Sequence, residues 1–334
     1  TLFTDFDGSL AALNVSNASL AAWQTALDVS GDADAAEEIL KFIRGQAVNG
    51  DGVADNNDSS ESRPWIMGDP IHSRPFPINY GLLGNHTAAN PDIRIIIGAN
   101  DGFFRMFKNT DEAGTDTGNE VWAYMPQELL SIQKDLMANN PTDPVTHIYG
   151  VDGTPVIYAA DKYHRDDDGN IVAGGDGTLN HADGDKVYAY FGLRRGGSAY
   201  YALDISNPDS PSYLWKIKAE GDFSELGETF STPRVTMVKY SVTGSVPTGC
   251  TGVANSTVYC PSLIFGGGYD TNKDNRNNLP ASHDTKGNAI YIANATTGEL
   301  IWKVKKGADI GQSDTVFTTP HMHDSIPSAV TSVD

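Results

Sequence analysis

The stretch GGSAYYALDISNPDSPSYLWKIK, residues 196–218, contains two short strand-like runs separated by a polar turn. The run AYYALDIS begins at Ala199, and the turn NPDSPS leads into YLWKIK, which carries Trp215. Apolar residues at alternate positions on both sides of a turn rich in Pro, Asn and Ser predict a β-hairpin.

Three other segments resemble this hairpin. They begin with SLAALNVS at Ser9, FFRMFKNT at Phe103 and AIYIANAT at Ala289, and each is followed by a second predicted strand that carries a tryptophan, at Trp23, Trp122 and Trp302. Repetition at intervals of roughly 90 residues indicates a structure built from similar units.

A second pattern alternates with the hairpins. Ser or Thr stands just ahead of Pro75, Pro155, Pro233 and Pro320, and an apolar run ending in glycine follows the first three of them. Proline suits the first residue of a strand, and glycine permits a tight turn after one. Each unit then has four antiparallel strands, which is the blade of a β-propeller, so the sequence predicts an all-β propeller fold.

The chain is expected to form one propeller domain or part of one. The predicted blades cover residues 70–125, 152–219 and 230–305, with partial blades at about 1–30 and 315–334. Because propellers close with about 4 to 8 blades, we expect this set to be incomplete. Two helical segments, DADAAEEILKFIRG from Asp32 and PQELLSIQKDLM from Pro126, are expected as short insertions.

The charge balance excludes some classes of partner. The formal net charge is −20, and no basic run is present that could neutralise phosphates, which argues against nucleic acid. No apolar segment approaches the roughly 20 residues of a membrane span. The acids are 33 Asp and only 10 Glu, and Asp favours turns and oxygen-ligated metal sites.

Three loops carry closely spaced Asp and Asn, whose side chains supply the oxygen ligands that Ca²⁺ prefers. We expect calcium to bind first at Asn49, Asp51, Asp55 and Asp58, next at Asp270, Asn272 and Asp274, and last at Asp166, Asp168 and Asn170. Each loop matches the calcium-loop pattern incompletely, so an ordinary solvated turn is the alternative at each.

Two cysteines, Cys250 and Cys260, flank a turn-like stretch. The spacing is not that of a zinc site or a redox motif. The pair predicts a local disulfide if the chain works in an oxidising compartment, and two buried free thiols otherwise.

The sequence has no recognisable catalytic motif. It lacks a G-x-S-x-G elbow, and its Gly-rich stretches lack the form of a phosphate-binding loop. We therefore predict a non-enzymatic protein with no catalytic residues.

Several phrases resemble those of the carboxy-terminal propeller of PilC/PilY-type proteins, large exported factors associated with the tip and biogenesis of type IV pili. The phrases are GDPIHSRP (68–75), IIIGANDGFFRMF (95–107), YGVDGTPVIYAAD (149–161), FGGGYD (265–270) and GNAIYIANATTGELIW (287–302). The resemblance extends from about Arg63 onward and is weaker before it.

The resemblance implies a pilus-tip adhesin and biogenesis factor, exported to the cell surface or outer membrane. It implies minor pilins of the tip complex and host or abiotic surfaces as partners, and calcium-dependent control of pilus extension and retraction in twitching motility. SIPSAVTSVD resembles the residues before the family's calcium loop, and of that loop only Asp334 can be carried over. Export to an oxidising compartment favours the disulfide.

One alternative comes from a different class. A PQQ-type quinoprotein dehydrogenase propeller also repeats Gly and Trp by blade and uses calcium. The sequence has no adjacent Cys-Cys pair and no Asp that stands out as a base, and its blades are longer than usual for that class.

Overall fold

The computed structural model describes residues 1–6, 9–13, 19–48, 62–63, 67–139, 147–166, 168–274 and 283–331. The chain divides into two compact units, Thr1–Asp152 and Gly153–Asp334. None of the helices in these residues is long and apolar enough to cross a membrane.

The first unit contains both of the predicted kinds of element. Its described helices and strands are α1 (Leu20–Ala26), α2 (Ala33–Ile43), α3 (Gln133–Ala138), β1 (Leu2–Phe6), β2 (Ser9–Ala12), β3 (Phe76–Asn79), β4 (Ile93–Gly98), β5 (Phe104–Thr110) and β6 (Asp116–Met125).

Strands β3 to β6 form an antiparallel sheet in chain order, called here the first blade. It lies within the residues 70–125 predicted for a blade. Ile96, Phe104 and Trp122 are fully buried, as the alternating sequence pattern requires of the residues on one face. β1 pairs in parallel with β6, and β2 pairs with β1.

The prediction that Trp23 lies in a strand is wrong. Trp23 is fully buried in α1, whose first turn is capped by the Ser19 hydroxyl accepting from the Ala22 N–H at 3.2 Å. The ring of Phe6 meets the Trp23 ring edge-on, with centroids 4.8 Å apart. The segment LAAWQTA contains strong helix formers, and its apolar residues follow helical spacing. Residues 1–30 therefore give two strands on the first blade's sheet and a helix, which differs from the separate partial blade expected there.

The helix predicted from Asp32 is confirmed as α2, whose N-cap is Asp32 with its carboxylate accepting from the Ala35 N–H at 2.9 Å. The helix predicted from Pro126 is shorter than expected. A 3₁₀ turn at Gln127–Leu129 is followed by α3, and between them the N–H groups of Leu130 and Gln133 donate to carbonyl oxygens three residues earlier, as in a 3₁₀ turn.

The second unit contains two further blades. Its described strands are β7 (Val156–Ala160), β8 (Tyr163–Arg165), β9 (Ile171–Ala173), β10 (Lys186–Gly192), β11 (Ala199–Asp204), β12 (Ser212–Lys218), β13 (Arg234–Ser241), β14 (Thr251–Gly252), β15 (Thr257–Gly266), β16 (Ala289–Asn294), β17 (Leu300–Lys306), β18 (Gly311–Gln312) and β19 (Val316–Thr319).

The second blade is the antiparallel sheet of β7, β10, β11 and β12, and β8 and β9 form a separate hairpin. The third blade is the antiparallel sheet of β13, β15, β16 and β17, to which β14, β18 and β19 add. Aromatic residues of both blades share one buried core, in which the Tyr200 and Phe265 ring centroids lie 4.7 Å apart. This core joins the second blade to the third.

The strand predicted to begin at Pro320 is not found. β19 ends at Thr319 and pairs in parallel with β17, so it extends the third blade. After Pro320 the described residues form turns and one bridge, in which the Gly268 N–H donates to the Ile326 carbonyl oxygen at 3.1 Å. The unpaired backbone groups at the edge of β17 favour this short strand as a partner.

Candidate functional site

Three loops of the third blade bring charged side chains together around the predicted calcium ligands Asp270 and Asp274. They are residues 269–274 after β15, 283–286 before β16 and 321–325 after β19, called here the Asp270 cluster. Glycine at 266–268 and the short 3₁₀ turn Thr271–Asp274 bring the first loop back onto the sheet.

Asp270 organises two of these loops. It is 5% exposed, and its carboxylate accepts from the N–H groups of Asn272 at 3.0 Å, Thr285 at 2.7 Å and Lys286 at 2.9 Å. Burial alone would raise the pKa of Asp270, but these backbone hydrogen bonds outweigh it and hold the pKa below its ordinary value. The carboxylate therefore remains charged and holds the two loops together.

Asp284 and Lys273 form the second half of the cluster. The Asp284 carboxylate accepts from the Ser325 N–H at 2.7 Å, and Lys273 Nζ lies 3.1 Å from Asp284 Oδ1 and 3.5 Å from Asp324 Oδ1. Burial would raise the pKa of Asp284, yet the bonds from Ser325 and the Lys273 ammonium lower it overall. The pKa of Lys273 is raised, chiefly by its bond to Asp284.

Two imidazoles lie beside these charges. The rings of His283 and His323 stack with centroids 4.3 Å apart. Burial lowers the pKa of His323, and the neighbouring His283 and Lys306 lower it further. His323 Nδ1 and Asn272 Oδ1 are buried atoms without a hydrogen-bond partner.

Calcium fits this loop poorly in the arrangement that the structure has. Ca²⁺ takes about 6 to 8 oxygen ligands, but the Asp270 oxygens accept N–H groups, and Asp274 accepts the Tyr269 hydroxyl at 2.8 Å. Among the described residues, no group of three or more His, Cys, Asp or Glu side chains could hold a metal ion. Calcium binding by Asp270, Asn272 and Asp274 stays a prediction that requires these contacts to rearrange.

The Asp166 loop is the turn between β8 and β9. The Asp166 carboxylate accepts from the Asp168 N–H at 3.1 Å and the Asn170 N–H at 2.8 Å. The backbone bond from Asn170 is the main reason that the pKa of Asp166 is lowered. These contacts are typical of an Asx turn, and calcium binding there also stays a prediction.

The remaining predicted calcium ligands lie outside the described residues. They are Asn49, Asp51, Asp55, Asp58 and Asp334.

The two cysteines are joined. Cys250 forms a disulfide with Cys260, which lies on β15 and is fully buried. The bond closes the loop that carries β14 and fastens it to the third blade.

A second polar cluster, which was not predicted from the sequence, lies in the first unit. His72 Nδ1 lies 2.8 Å from the Asp152 carboxylate, which is 1% exposed, and His147 Nε2 lies 3.0 Å from Asp69 Oδ2. The ring of Tyr149 packs on His147, with centroids 4.5 Å apart. One sequence feature could have indicated this cluster. His72 and Asp152 each stand three residues before a proline that precedes a strand, Pro75 and Pro155.

Comparison with known proteins identifies one family. The family model of the PilY1 beta-propeller domain matches residues 75–322. The chain is 27% identical over 241 residues to the type IV pilus biogenesis factor PilY1 of Pseudomonas aeruginosa strain UCBPP-PA14, covering 66% of this chain and 18% of that protein. It is 26% identical over 228 residues to the PilY1 homolog of Xylella fastidiosa, covering 64% and 16%.

Among solved structures, the chain is similar to the crystal structure of the Pseudomonas aeruginosa PilY1 C-terminal domain, with 21% identity, a TM-score of 0.34, and coverage of 66% of this chain and 31% of that one. The chain spans less than a fifth of the length of the curated relatives described above. The family model covers most of the chain, including all three blades, and it confirms the propeller fold predicted from the repeats. The chain therefore belongs to the PilY1 β-propeller family.

Proposed function

We propose that this chain is the propeller module of a type IV pilus biogenesis factor. The observation that carries the proposal is the match of residues 75–322 to the PilY1 beta-propeller domain. The relatives from Pseudomonas and Xylella are named for type IV pilus biogenesis, which supports the same role here.

The finer proposal is that the protein acts at the exported pilus tip. It takes part in adhesion to host or abiotic surfaces, contacts minor pilins, and modulates extension and retraction. The Cys250–Cys260 disulfide supports export, because such bonds persist in oxidising compartments. The net charge of −20 supports a role outside nucleic-acid binding.

We propose a binding and assembly role without catalysis. The family match favours this role over a quinoprotein dehydrogenase. Calcium binding is part of the proposal, first at Asn49, Asp51, Asp55 and Asp58, and its support is the spacing of these oxygen-bearing side chains.

Deletion of the gene tests the biogenesis role. Surface pili per cell are counted by electron microscopy in the wild type, the deletion strain and the deletion strain carrying the full-length gene. We expect loss of surface pili and their restoration by the gene. Normal pilus numbers in the deletion strain would contradict the proposal.

A further inference from the structure

The first strand of the third blade is longer than the first strands of the other two blades. β3, β7 and β13 each begin directly after a proline, at Phe76, Val156 and Arg234. β3 has 4 residues and β7 has 5, whereas β13 has 8 and ends at Ser241. The later residues of β13 pair with the first part of β15, whose other side carries β14. Residues 237–261 therefore extend the third blade as a three-stranded ribbon, called here the β13 ribbon.

The outer edge of β13 has no neighbouring strand in the part of the chain that the structure describes. The Val242 N–H donates to the Ser256 carbonyl oxygen at 2.9 Å, so in this antiparallel ladder the even-numbered residues of β13 direct their N–H and C=O groups toward β15. The N–H and C=O groups of Met237, Lys239 and Ser241 therefore point away from β15. No described residue forms a hydrogen bond with these outward groups, and all three residues are exposed.

One face of the ribbon exposes large apolar side chains. Met237 is 55% exposed and Tyr259 is 45% exposed, and Val253, directly after β14, is 67% exposed. Lys239 and Tyr259 lie opposite each other, so Met237, two residues before Lys239, shares their face. Lys239 Nζ lies 5.6 Å from the centre of the Tyr259 ring. An apolar surface and an ammonium group therefore adjoin the open edge of β13.

The ribbon lies in a stretch of the chain without acids. Residues 229–269 contain no Asp or Glu, although 43 of the 334 residues are acidic. The charged side chains of this stretch are Arg234 and Lys239, and both are exposed. The β13 edge is therefore positive on a chain whose net charge is −20, and it complements an acidic partner.

We propose that the outer edge of β13 at residues 237–241 is a docking site for an extended acidic segment of another protein, which pairs with it in antiparallel orientation. Sheet edges bind extended peptides through main-chain hydrogen bonds, and the alternate side chains give specificity. In this arrangement an acidic side chain lies opposite Lys239 and an apolar one opposite Met237. The inference goes beyond the pilus role and does not depend on it.

A lysine on an edge strand also has a protective explanation, because a charge discourages unwanted strand pairing. That explanation predicts that no extended peptide binds to β13. A docking site predicts binding whose strength depends on the sign of the charge opposite Lys239. Peptide binding therefore distinguishes the two explanations.

The probe is a fluorescent peptide with the sequence Ser-Thr-Val-Glu-Val-Ile-Ser. In the proposed register its glutamate lies opposite Lys239 and its isoleucine opposite Met237. We expect saturable binding to the chain by fluorescence anisotropy. A control peptide with lysine in place of glutamate should bind at least about threefold more weakly. A second control is N-methylated at the glutamate, whose N–H donates to the Lys239 carbonyl oxygen in this register, and it should not bind.

Lys239→Glu tests the charge and leaves the backbone groups in place. The glutamate peptide should bind this variant at least about threefold more weakly than the unaltered chain, and the lysine peptide at least about threefold more tightly. Misfolding cannot produce this exchange of preference, because one peptide gains affinity. Arg234→Glu is the matched control, since it makes the same change of charge outside the docked residues and should leave the preference for the glutamate peptide in place.

Hydrogen exchange locates the site on the unaltered chain. Saturating glutamate peptide should slow exchange in residues 237–241 and leave β16 unchanged. The proposal is overturned by absence of binding at about 1 mM peptide, by equal binding of the glutamate and lysine peptides, by a preference that Lys239→Glu leaves unchanged, or by protection outside the β13 ribbon. A dimer of the chain with residues 237–241 protected overturns it too, because a second copy would then occupy the edge.

Discussion

Trp215 Nε1 donates a hydrogen bond of 3.0 Å to the carbonyl oxygen of Ala295. Trp215 lies on β12 of the second blade, and Ala295 directly follows β16 of the third. Both residues are buried, so the bond is protected from water and joins the two blades of the second unit.

Replacement of this tryptophan should weaken the second unit. Trp215→Phe removes part of the buried ring and leaves the Ala295 carbonyl without its donor, which should lower the free energy of unfolding by about 2 to 4 kcal/mol. Urea denaturation measures the change. Trp302→Phe is the matched control because Trp302 is only partly buried, and its loss should be less than half as large. Equal losses of unfolding free energy in the two variants would contradict a special role for the Trp215 hydrogen bond.

The turn opposite this ring should tolerate only glycine. A Cβ on Gly298 would lie 2.8 Å from Trp215 Cδ2, and the φ of Gly298 is +74°. Gly298→Ala should therefore lower the free energy of unfolding by more than the left-handed conformation alone would, which is about 1 to 2 kcal/mol. Gly221→Ala, at φ +54° with nothing within 4 Å of the added Cβ, isolates that backbone cost. Denaturation of the two variants gives the difference in their free energies of unfolding. Equal losses would show that the Trp215 ring moves to accommodate the added Cβ.

The disulfide should contribute to stability. In the chain-entropy model, closing a loop between Cys250 and Cys260 stabilises the fold by about 2 to 3 kcal/mol. The double substitution of both cysteines by Ala should lower the melting temperature, and a reductant should lower it in the unaltered chain only. Rapid labelling of both thiols in the native, unreduced protein would contradict the bond.

Stability should depend on the protonation of Glu228. Burial, with a further contribution from Asp274, raises the pKa of Glu228 from 4.5 to about 7, against the opposing effect of Arg195 and Arg194. Between pH 4.5 and about 7 the folded chain keeps a proton that the unfolded chain has released. Stability from this group therefore falls as pH rises through that range and stays lower above it.

Glu228→Gln should remove this loss. Melting temperatures measured between pH 4 and pH 8 should converge with those of the unaltered chain at the acid end and exceed them at the alkaline end. Glu220→Gln, at an exposed glutamate, controls for the loss of one negative charge. If the melting temperature of Glu228→Gln changed with pH in parallel with that of the unaltered chain, the Glu228 carboxyl would not be the cause of the pH dependence.

Calcium should stabilise the chain if the loop of Asn49, Asp51, Asp55 and Asp58 binds it. Several like charges close together are costly unless a cation screens them, so calcium should raise the melting temperature and chelation should reverse the rise. Asp51→Ala should abolish the heat of binding in calorimetry. Asp166→Ala is the control variant, with a smaller expected effect. No heat of binding at about millimolar calcium would contradict the prediction.

The blades could be predicted because their signals are local. Alternation around Trp122, Trp215 and Trp302, with proline at the strand starts, marks strands whose partners are the next strands along the chain. The prediction failed at Trp23 because a single aromatic residue is compatible with both the strand repeat and the helical repeat. The alanine-rich neighbours of Trp23 favour a helix.

The strands β1 and β19, which pair in parallel with the edges of two blades, could not be predicted from local pattern. Leu2 pairs with Ala123, far along the chain, and a four-residue strand at a sheet edge has little periodicity of its own. The contacts of Asp270 were likewise invisible, because the sequence shows its spacing to Asn272 but not the Thr285 and Lys286 N–H groups that meet its carboxylate.

The most direct test of the pilus role removes this propeller alone. The deletion strain is complemented with the full-length gene, or with the same gene lacking residues 75–322, and export of both products is checked by immunoblot. Surface pili per cell are then counted by electron microscopy. We expect wild-type pilus numbers with the first gene and no surface pili with the second, and equal restoration by both genes would contradict the role of the propeller.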